Sequence, residues 1–403
     1  MKMKSKIIPL LCTAVLCFSG CVQKADPLEN IPSQVVSVIE ENEIEEESVL
    51  LTGNEIIDET AMLFADENAL FARAKEICGQ MSLEEKTGQI FFVRFPESGV
   101  LEEIEEYNPG GYIVFGRDFE NSTPAEFKEM TAECQSASDI PILIGVDEEG
   151  GTVVRASKYP QFRAEKFKSP RELYDEGGME AIEADAAEKS RFLKSLGINV
   201  NLAPVCDISS DPDNFMYERS IGLDADGTSM YAVLVQNAMK ENGMGSVLKH
   251  FPGYGDNADT HEGESRDTRS LEYLSENDLV PFAAAIENGC DAILVSHNII
   301  EAIDGENPAT LSAQVHEFLR NEMGFEGVIV TDDMAMGALE GIDIGDAAVK
   351  AVLSGNDLII TSDIQTQYNA VLQAMKSGEI GDNRIDEAVC RVLLWKLKMG
   401  IIE

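Results

Sequence analysis

The sequence predicts an α/β fold of the (β/α)8 TIM-barrel type, a single catalytic domain over residues 68–403. The first observation is eight short runs rich in Val and Ile, each followed by polar residues. They are IFFVRF (90–95), GYIVF (111–115), PILIGV (141–146), INVNLAPV (198–205), GSVLKHF (245–251), DAILVSH (291–297), GVIVTDD (327–333) and DLIITS (357–362). Apolar runs of this length read as parallel strands buried on both faces. The second observation is that segments with helical spacing separate them: Pro124 to Ser136, Met179 to Leu196, Met230 to Asn242, Leu279 to Asn288 and Gln314 to Glu322. Eight alternations fit a closed barrel, with a doubly wound sheet as the alternative. No internal repeat is visible beyond this alternation.

Ahead of the barrel the chain changes character twice. Lys2, Lys4 and Lys6 precede the apolar run IIPLLCTAVLCF and then Ser19-Gly20-Cys21. That order describes a signal peptide over residues 1–20, too short for an ordinary spanning helix. The small residues before Cys21 resemble a bacterial lipobox, with Phe18 in place of the usual Leu. Cys21 is therefore expected to carry lipid and become the mature N-terminus, with a plain secretory signal as the alternative. Residues 21–67 are acidic and lack a clear period, and six of the eight residues from Glu40 to Glu47 are Glu. This segment is read as a solvated, disordered tether, with a partner-binding tail as the alternative. The protein is accordingly expected outside the cytoplasm, anchored to the cell membrane only through its N-terminal lipid.

Composition limits the partners. Of the 403 residues, 73 are Asp or Glu and 31 Lys or Arg, a formal net charge of −42 that argues against nucleic acid as a partner, since phosphate binding needs a basic face. The same balance argues against electrostatic docking on anionic lipid. Cleavage after Gly20 removes three lysines and no acid, which takes the charge from −42 to −45. Beyond Cys21, the widely spaced Cys78, Cys134, Cys206, Cys290 and Cys390 form neither a disulfide framework nor a metal cluster and are read mainly as core thiols.

A barrel works at the C-terminal ends of its strands, so the residues after each run belong together. Strand three delivers Asp147, Glu148, Glu149 and Arg155, and strand four Asp207 with Arg219 further on. Strand five delivers Lys249 and His250, then the loop PGYGDNADTHEG with Asp259 and His261. Strands six and seven end at Ser296-His297-Asn298 and Asp332-Asp333. A metal site on His250, His261 and a carboxylate lacks the usual ligand spacing. A phosphate site would place a Gly-rich loop after strands seven or eight, where TDDMAMG and TSDIQTQ place acid. Glycoside hydrolysis needs an anionic group below the anomeric carbon and a proton donor at the leaving oxygen, roles open to Asp332 and His261.

KHFPGYGDNADTH (249–261), VDEEGGTVVR (146–155) and GFEGVIVTDDMAMGAL (324–339) resemble glycoside hydrolase family 3, specifically its single-barrel β-N-acetylglucosaminidases. MSLEEKTGQIF (81–91), NLAPVCDI (201–208), ERS (218–220) and NPATLSAQV (307–315) extend the likeness from about Ala72 to Gly400. The resemblance implies a retaining hydrolase with Asp332 as nucleophile, His261 as acid/base and Asp259 as its partner. It also implies that Asp147, Arg155, Arg219, Lys249 and His250 grip the N-acetylglucosamine ring. The expected substrates are peptidoglycan fragments or other β-N-acetylglucosaminides, cleaved by a monomer without metal or organic cofactor. A phosphorylase or an enzyme for another β-glycoside would share these motifs, and a noncatalytic surface lectin is the third reading.

Two features depart from the family pattern. The catalytic loop is one residue shorter between Gly255 and Asp259, and Tyr254 stands where His or Arg is common. Other polar residues have plainer expectations. Asp333 is expected to cap the next helix, Asp256 and Asn257 to form turns, and His316 to be structural. Glu148 and Glu149 are a rival acidic pair, and His297 is either a ligand contact or a strand-end hydrogen bonder. Because neighbours on a strand point to opposite faces, at least one of Lys249 and His250 is expected on the rim.

Overall fold

The computed structural model describes residues 53–261 and 263–402, with only the backbone course of residues 53–66. The signal segment, Cys21 and the run Glu40–Glu47 lie outside the described residues. The chain divides at Asp58/Glu59, and the first unit is represented only by the opening turns of the helix Gly53–Gln80. That helix begins within the segment assigned to the tether. The second unit is Glu59–Glu403.

Eleven strands occur among the described residues: β1 (Phe91–Arg94), β2 (Gly111–Val114), β3 (Leu143–Val146), β4 (Val200–Asn201), β5 (Gly245–Ser246), β6 (Leu248–Phe251), β7 (Arg266–Asp267), β8 (Ala292–Val295), β9 (Ile299–Ile300), β10 (Val328–Thr331) and β11 (Ile359–Thr361). Each of the eight apolar runs contains a strand. The run 245–251 holds two, β5 and β6, divided at Val247. One sheet runs β11-β1-β2-β3-β4-β5 and another β10-β8-β6, with parallel pairing throughout. The parallel bridge Val330↔Leu358 joins β10 to the segment before β11, and the continuous run 245–251 joins β5 to β6. The ring is therefore closed, as a TIM-type barrel. The short parallel pair β7–β9 was not expected from the sequence.

Local chemistry explains where the helices start. Ser82 with Glu85, Thr123 with Glu126 and Ser169 with Glu172 form reciprocal capping boxes, and Pro124 and Pro170 follow two of these caps. The last cap corrects an expectation. The helix foreseen from Met179 starts at Pro170 and kinks at Gly177 and Gly178, where φ is −156° and +62°. The segment around Gln314 to Glu322 is a short α-turn, Ala313–Glu317, continued by a π-turn, Phe318–Glu322.

The barrel interior is filled from each of the eight apolar runs. Phe92, Ile113, Leu143, Val200, Val247, Leu294, Val330 and Ile360 form one buried cluster with Val392 and Trp395 of the last helix, Asp382–Lys398. Gly145 makes room for Phe92, since a Cβ there would lie 2.4 Å from its Cζ. Opposite-facing strand residues such as Phe91, Val93 and Ile144 pack into the layer beneath the helices. All five cysteines from Cys78 onward are buried free thiols. No described helix is long and apolar enough to cross a membrane.

Candidate active site

The ends of strands three to five build one connected charge network. Lys249 Nζ lies 2.6 Å from Asp147 Oδ1 and 2.7 Å from Glu149 Oε1. Arg219 donates from Nε and Nη2 to the two oxygens of Glu149 at 2.9 and 2.7 Å, a bidentate pair. Its Nη2 also lies 3.2 Å from His250 Nε2. His250 Nδ1 is 2.7 Å from Asp207 Oδ2, and Asp207 accepts from the backbone N–H groups of His250 and Tyr254. Arg155 Nη2 stands 3.8 Å from Asp147 Oδ2. Thus both Lys249 and His250 face the site. Strict alternation does not apply because pairing of β6 with β8 changes register between Leu248 and Phe251. The Lys249–His250 peptide is cis.

Burial and charge pull against each other here, and charge prevails. Burial would raise the carboxyl of Asp147, but Lys249 and Arg155 hold it below its ordinary value. Burial likewise opposes ionisation of Glu149, yet Arg219 and Lys249 keep that carboxyl far below the usual range. Burial disfavours the Arg219 cation, and Glu149 more than compensates. The result is a set of fixed charges. Glu149 is therefore committed to holding cations, and Glu148 to the backbone: it accepts from the N–H groups of Arg155 and Ala156 and from the Ser157 hydroxyl.

The loop after β6 carries a second unit. His261 Nδ1 lies 2.7 Å from Asp259 Oδ1, which also accepts the His261 backbone N–H at 2.9 Å. The His261 side chain is 62% exposed and that of Asp259 26%. The contact fixes the ring with Nε2 on the side away from Asp259. Asp256 accepts from Ser209, Ser210 and Asp211, while Asn257 donates to the Tyr254 carbonyl, so both form the loop as expected.

Asp332 follows β10 directly, half-buried, and its Oδ1 accepts the Asp333 N–H at 2.9 Å. The expectation for Asp333 needs correcting. Its carboxylate accepts the Ala335 N–H in a local turn; the 3-10 turn Gly337–Leu339 that follows has no side-chain cap, and the next α-helix, Ile344–Ser354, is capped by Asp343. His297 proves to be a strand-end hydrogen bonder, with Nδ1 2.8 Å from Thr310 Oγ1 and Nε2 3.0 Å from the Asp333 carbonyl. Burial depresses its imidazole, with Asp332 opposing and His261 adding to the effect. His316 is buried against the Ser312 carbonyl, in a structural role.

The structure thus joins Asp147, Arg155, Arg219, Lys249 and His250 in one network, pairs Asp259 with His261, and sets Asp332 at the end of β10. Two members of the network are not distinguished by local sequence: Asp207, which holds His250, reads only as a strand-end acid, and Glu149 reads as half of a rival acidic pair rather than as the anchor of Lys249 and Arg219. Among the described residues no group of three or more His, Cys, Asp or Glu side chains is disposed to hold a metal ion.

A closed parallel barrel with its charged groups at the strand ends defines a TIM-barrel enzyme. The chain belongs to glycosyl hydrolase family 3, whose N-terminal domain matches residues 82–394. The β-hexosaminidase LpqI of Mycobacterium tuberculosis is 28% identical over 330 residues, covering 78% of this chain and 83% of its own. The solved structure of LpqI superposes with a TM-score of 0.73 at 26% identity, over 79% of this chain and 95% of that one. A family 3 β-N-acetylglucosaminidase from Paenibacillus sp. strain FPU-7 superposes with a TM-score of 0.75 at 32% identity, over 80% of this chain but only 63% of that longer chain.

Proposed function

We propose that this family 3 glycosidase is a retaining β-N-acetylhexosaminidase that removes terminal β-linked N-acetylglucosamine, with peptidoglycan fragments as its natural substrates. The observation that carries the reading is the pairing of His261 with Asp259 on the loop after β6, on the same rim as the carboxylate of Asp332. Relatives bearing the hexosaminidase name support the sugar.

In the first step Asp332 attacks the anomeric carbon as the bond to the leaving oxygen breaks, and His261 Nε2 gives its proton to that oxygen. Asp259 keeps the imidazole oriented and stabilises its cation. In the second step His261 takes a proton from water, whose oxygen attacks the same carbon and releases Asp332. Two inversions leave the configuration unchanged. Asp147, Arg155, Arg219, Lys249 and His250 supply fixed acceptors and donors for the ring hydroxyls and the acetamide. The exposure of His261 suits a loop that closes over bound sugar.

The test is hydrolysis of a chromogenic β-N-acetylglucosaminide by the soluble domain. Wild type should release free N-acetylglucosamine even in phosphate buffer, whereas a sugar 1-phosphate would make it a phosphorylase. His261→Ala should lose about 10^2- to 10^4-fold in kcat/KM on a substrate with a poor leaving group. Binding of N-acetylglucosamine without turnover by wild type would instead support a lectin.

The same proposal extends to the N-terminal region: residues 1–20 direct export, Cys21 carries lipid, and residues 21–67 tether a barrel domain of residues 68–403 outside the cytoplasm. In a lipid-labelling experiment the full chain should take up label and Cys21→Ala should not. Equal labelling, or unchanged membrane association of the variant, defeats the anchor.

A further inference from the structure

Tyr254 occupies a position that neither the glycosidase chemistry nor the family resemblance assigns. Its ring is buried against His250, with centroids 5.3 Å apart at 76°, and against Phe215 at 5.1 Å and 88°. Its backbone is fixed from both sides. The Tyr254 N–H donates to Asp207 Oδ1 at 2.7 Å, and Gly253 and Gly255 hold φ of 117° and 54°. A Cβ on Gly253 would meet Asp278 at 2.7 Å and one on Gly255 would meet Arg269 at 2.3 Å, so side chains fill the space on either side. The phenol meets the hydroxyl of Thr260 in a short hydrogen bond.

Thr260 sits between Asp259 and His261 and is fully buried, although His261 beside it is open to solvent. Its carbonyl accepts the Ala338 N–H at 3.0 Å, from the segment that follows Asp332. One residue therefore ties the loop of the His/Asp dyad both to the sugar-gripping wall and to the chain after the nucleophile. Burial pushes the Tyr254 phenol well above its ordinary value, so it remains a neutral O–H at working pH.

We propose that Tyr254 is a positioning residue, whose hydroxyl holds Thr260 and thereby sets the Asp259–His261 dyad at the rim in this one-residue-shorter loop. The proposal rests on the assignment of that dyad as acid/base. A histidine or arginine at this place has no hydroxyl to share with Thr260, so the device belongs to this chain's own combination of residues. The rigid end is the backbone of residues 253–255, and the end that would drift without the bond is Thr260 with its two neighbours.

The variants are Tyr254→Phe, which keeps the ring packing and removes one oxygen, Thr260→Val, which removes the other hydroxyl, and Thr260→Ser, which restores it. For each, kcat/KM is measured on two aryl β-N-acetylglucosaminides. One has a dinitrophenyl leaving group, which departs without proton donation, and the other a methylphenyl group, which needs it.

Tyr254→Phe and Thr260→Val should each lose roughly tenfold or more on the methylphenyl glycoside and less than about twofold on the dinitrophenyl glycoside. The double variant should lose no more than either single one, and Thr260→Ser should recover most of the loss. Equal losses on both substrates, no loss, or additive losses overturn the proposal. Hydrogen exchange of the ligand-free protein gives a readout independent of turnover. The amides of Thr260 and His261 should exchange faster in Tyr254→Phe while those of β8 and β10 stay unchanged, and unchanged exchange at Thr260 also overturns the clamp. If wild type hydrolyses neither glycoside, the glycosidase reading fails and the exchange result alone decides the clamp.

Discussion

The two ends of the barrel solve the problem of buried charge in different ways. At the opposite end from the site, Asp357 is fully buried beside Arg320, Arg384 and Arg391, with Arg320 the closest at 2.5 Å and the other two at 3.1 Å. These guanidinium groups also end on main chain: Arg320 on the carbonyls of Phe325 and Gly327, Arg384 on those of Val352 and Asn356. The cluster staples the segments that lead into β10 and β11 to the last helix. At the strand C-terminal ends Lys249 and Arg219 meet side-chain carboxylates, and among the described residues Asp332 accepts only the Asp333 N–H. Similar residue types therefore give a closed structural staple at one end and a connected charge network at the other.

Breaking each end should separate activity from stability. The largest effect is expected from Asp332→Ala, which should lower kcat on the order of 10^4-fold while leaving the urea midpoint nearly unchanged, since among the described residues no cation is paired with this carboxylate. Asp357→Asn should do the reverse. Three arginines left without their anion should cost about 3–5 kcal/mol in a denaturation series, with turnover per folded molecule retained. Burial opposes the Asp357 anion, but its three arginines hold it below the ordinary carboxylate value. Its stabilising contribution is thus complete above the unfolded value of 3.8 and lost as pH falls through and below it.

A smaller and pH-dependent effect is expected from Lys396, in the same closing helix. Its ammonium is fully buried with Gln89 Oε1 at 2.8 Å, and burial pushes its pKa down to about 7. Between about 7 and the ordinary value of 10.5 the unfolded chain holds a proton that the folded chain does not, so stability should rise with pH. The slope is about 1.4 kcal/mol per pH unit at most, and Lys396→Met should flatten that part of the stability curve. The smallest effect belongs to the exposed pair Lys168–Glu176, whose side chains are 49% and 58% exposed. Lys168→Ala should leave the denaturation midpoint nearly unchanged, measured in the same series.

These contrasts also show how far residues can be read in order. The eight Val- and Ile-rich runs locate the strands because a strand covered on both faces must be apolar along its length. The strand-end rule then collects Asp147, Lys249, His250 and Asp332 on one rim from chain order alone. The partners of these groups are another matter. Asp207 and His250 are 43 residues apart, and Glu149 and Arg219 are 70 apart. Nothing local distinguishes an acid that anchors a cation from one that gives up a proton. Asp333 shows the same limit, since its choice between capping a helix and closing a turn depends on where the next helix begins.

The sequence by itself determined the class of fold, the rim on which polar chemistry gathers and the family, because periodicity and motif order are properties of neighbouring residues. Tertiary structure alone decided which carboxylates serve as anchors, that Lys249 and His250 face the same site, and that Tyr254 meets Thr260. Each of those outcomes depends on distances between segments that chain order leaves free, and on burial, which turns a nearby opposite charge from a weak contact into the force that fixes ionisation.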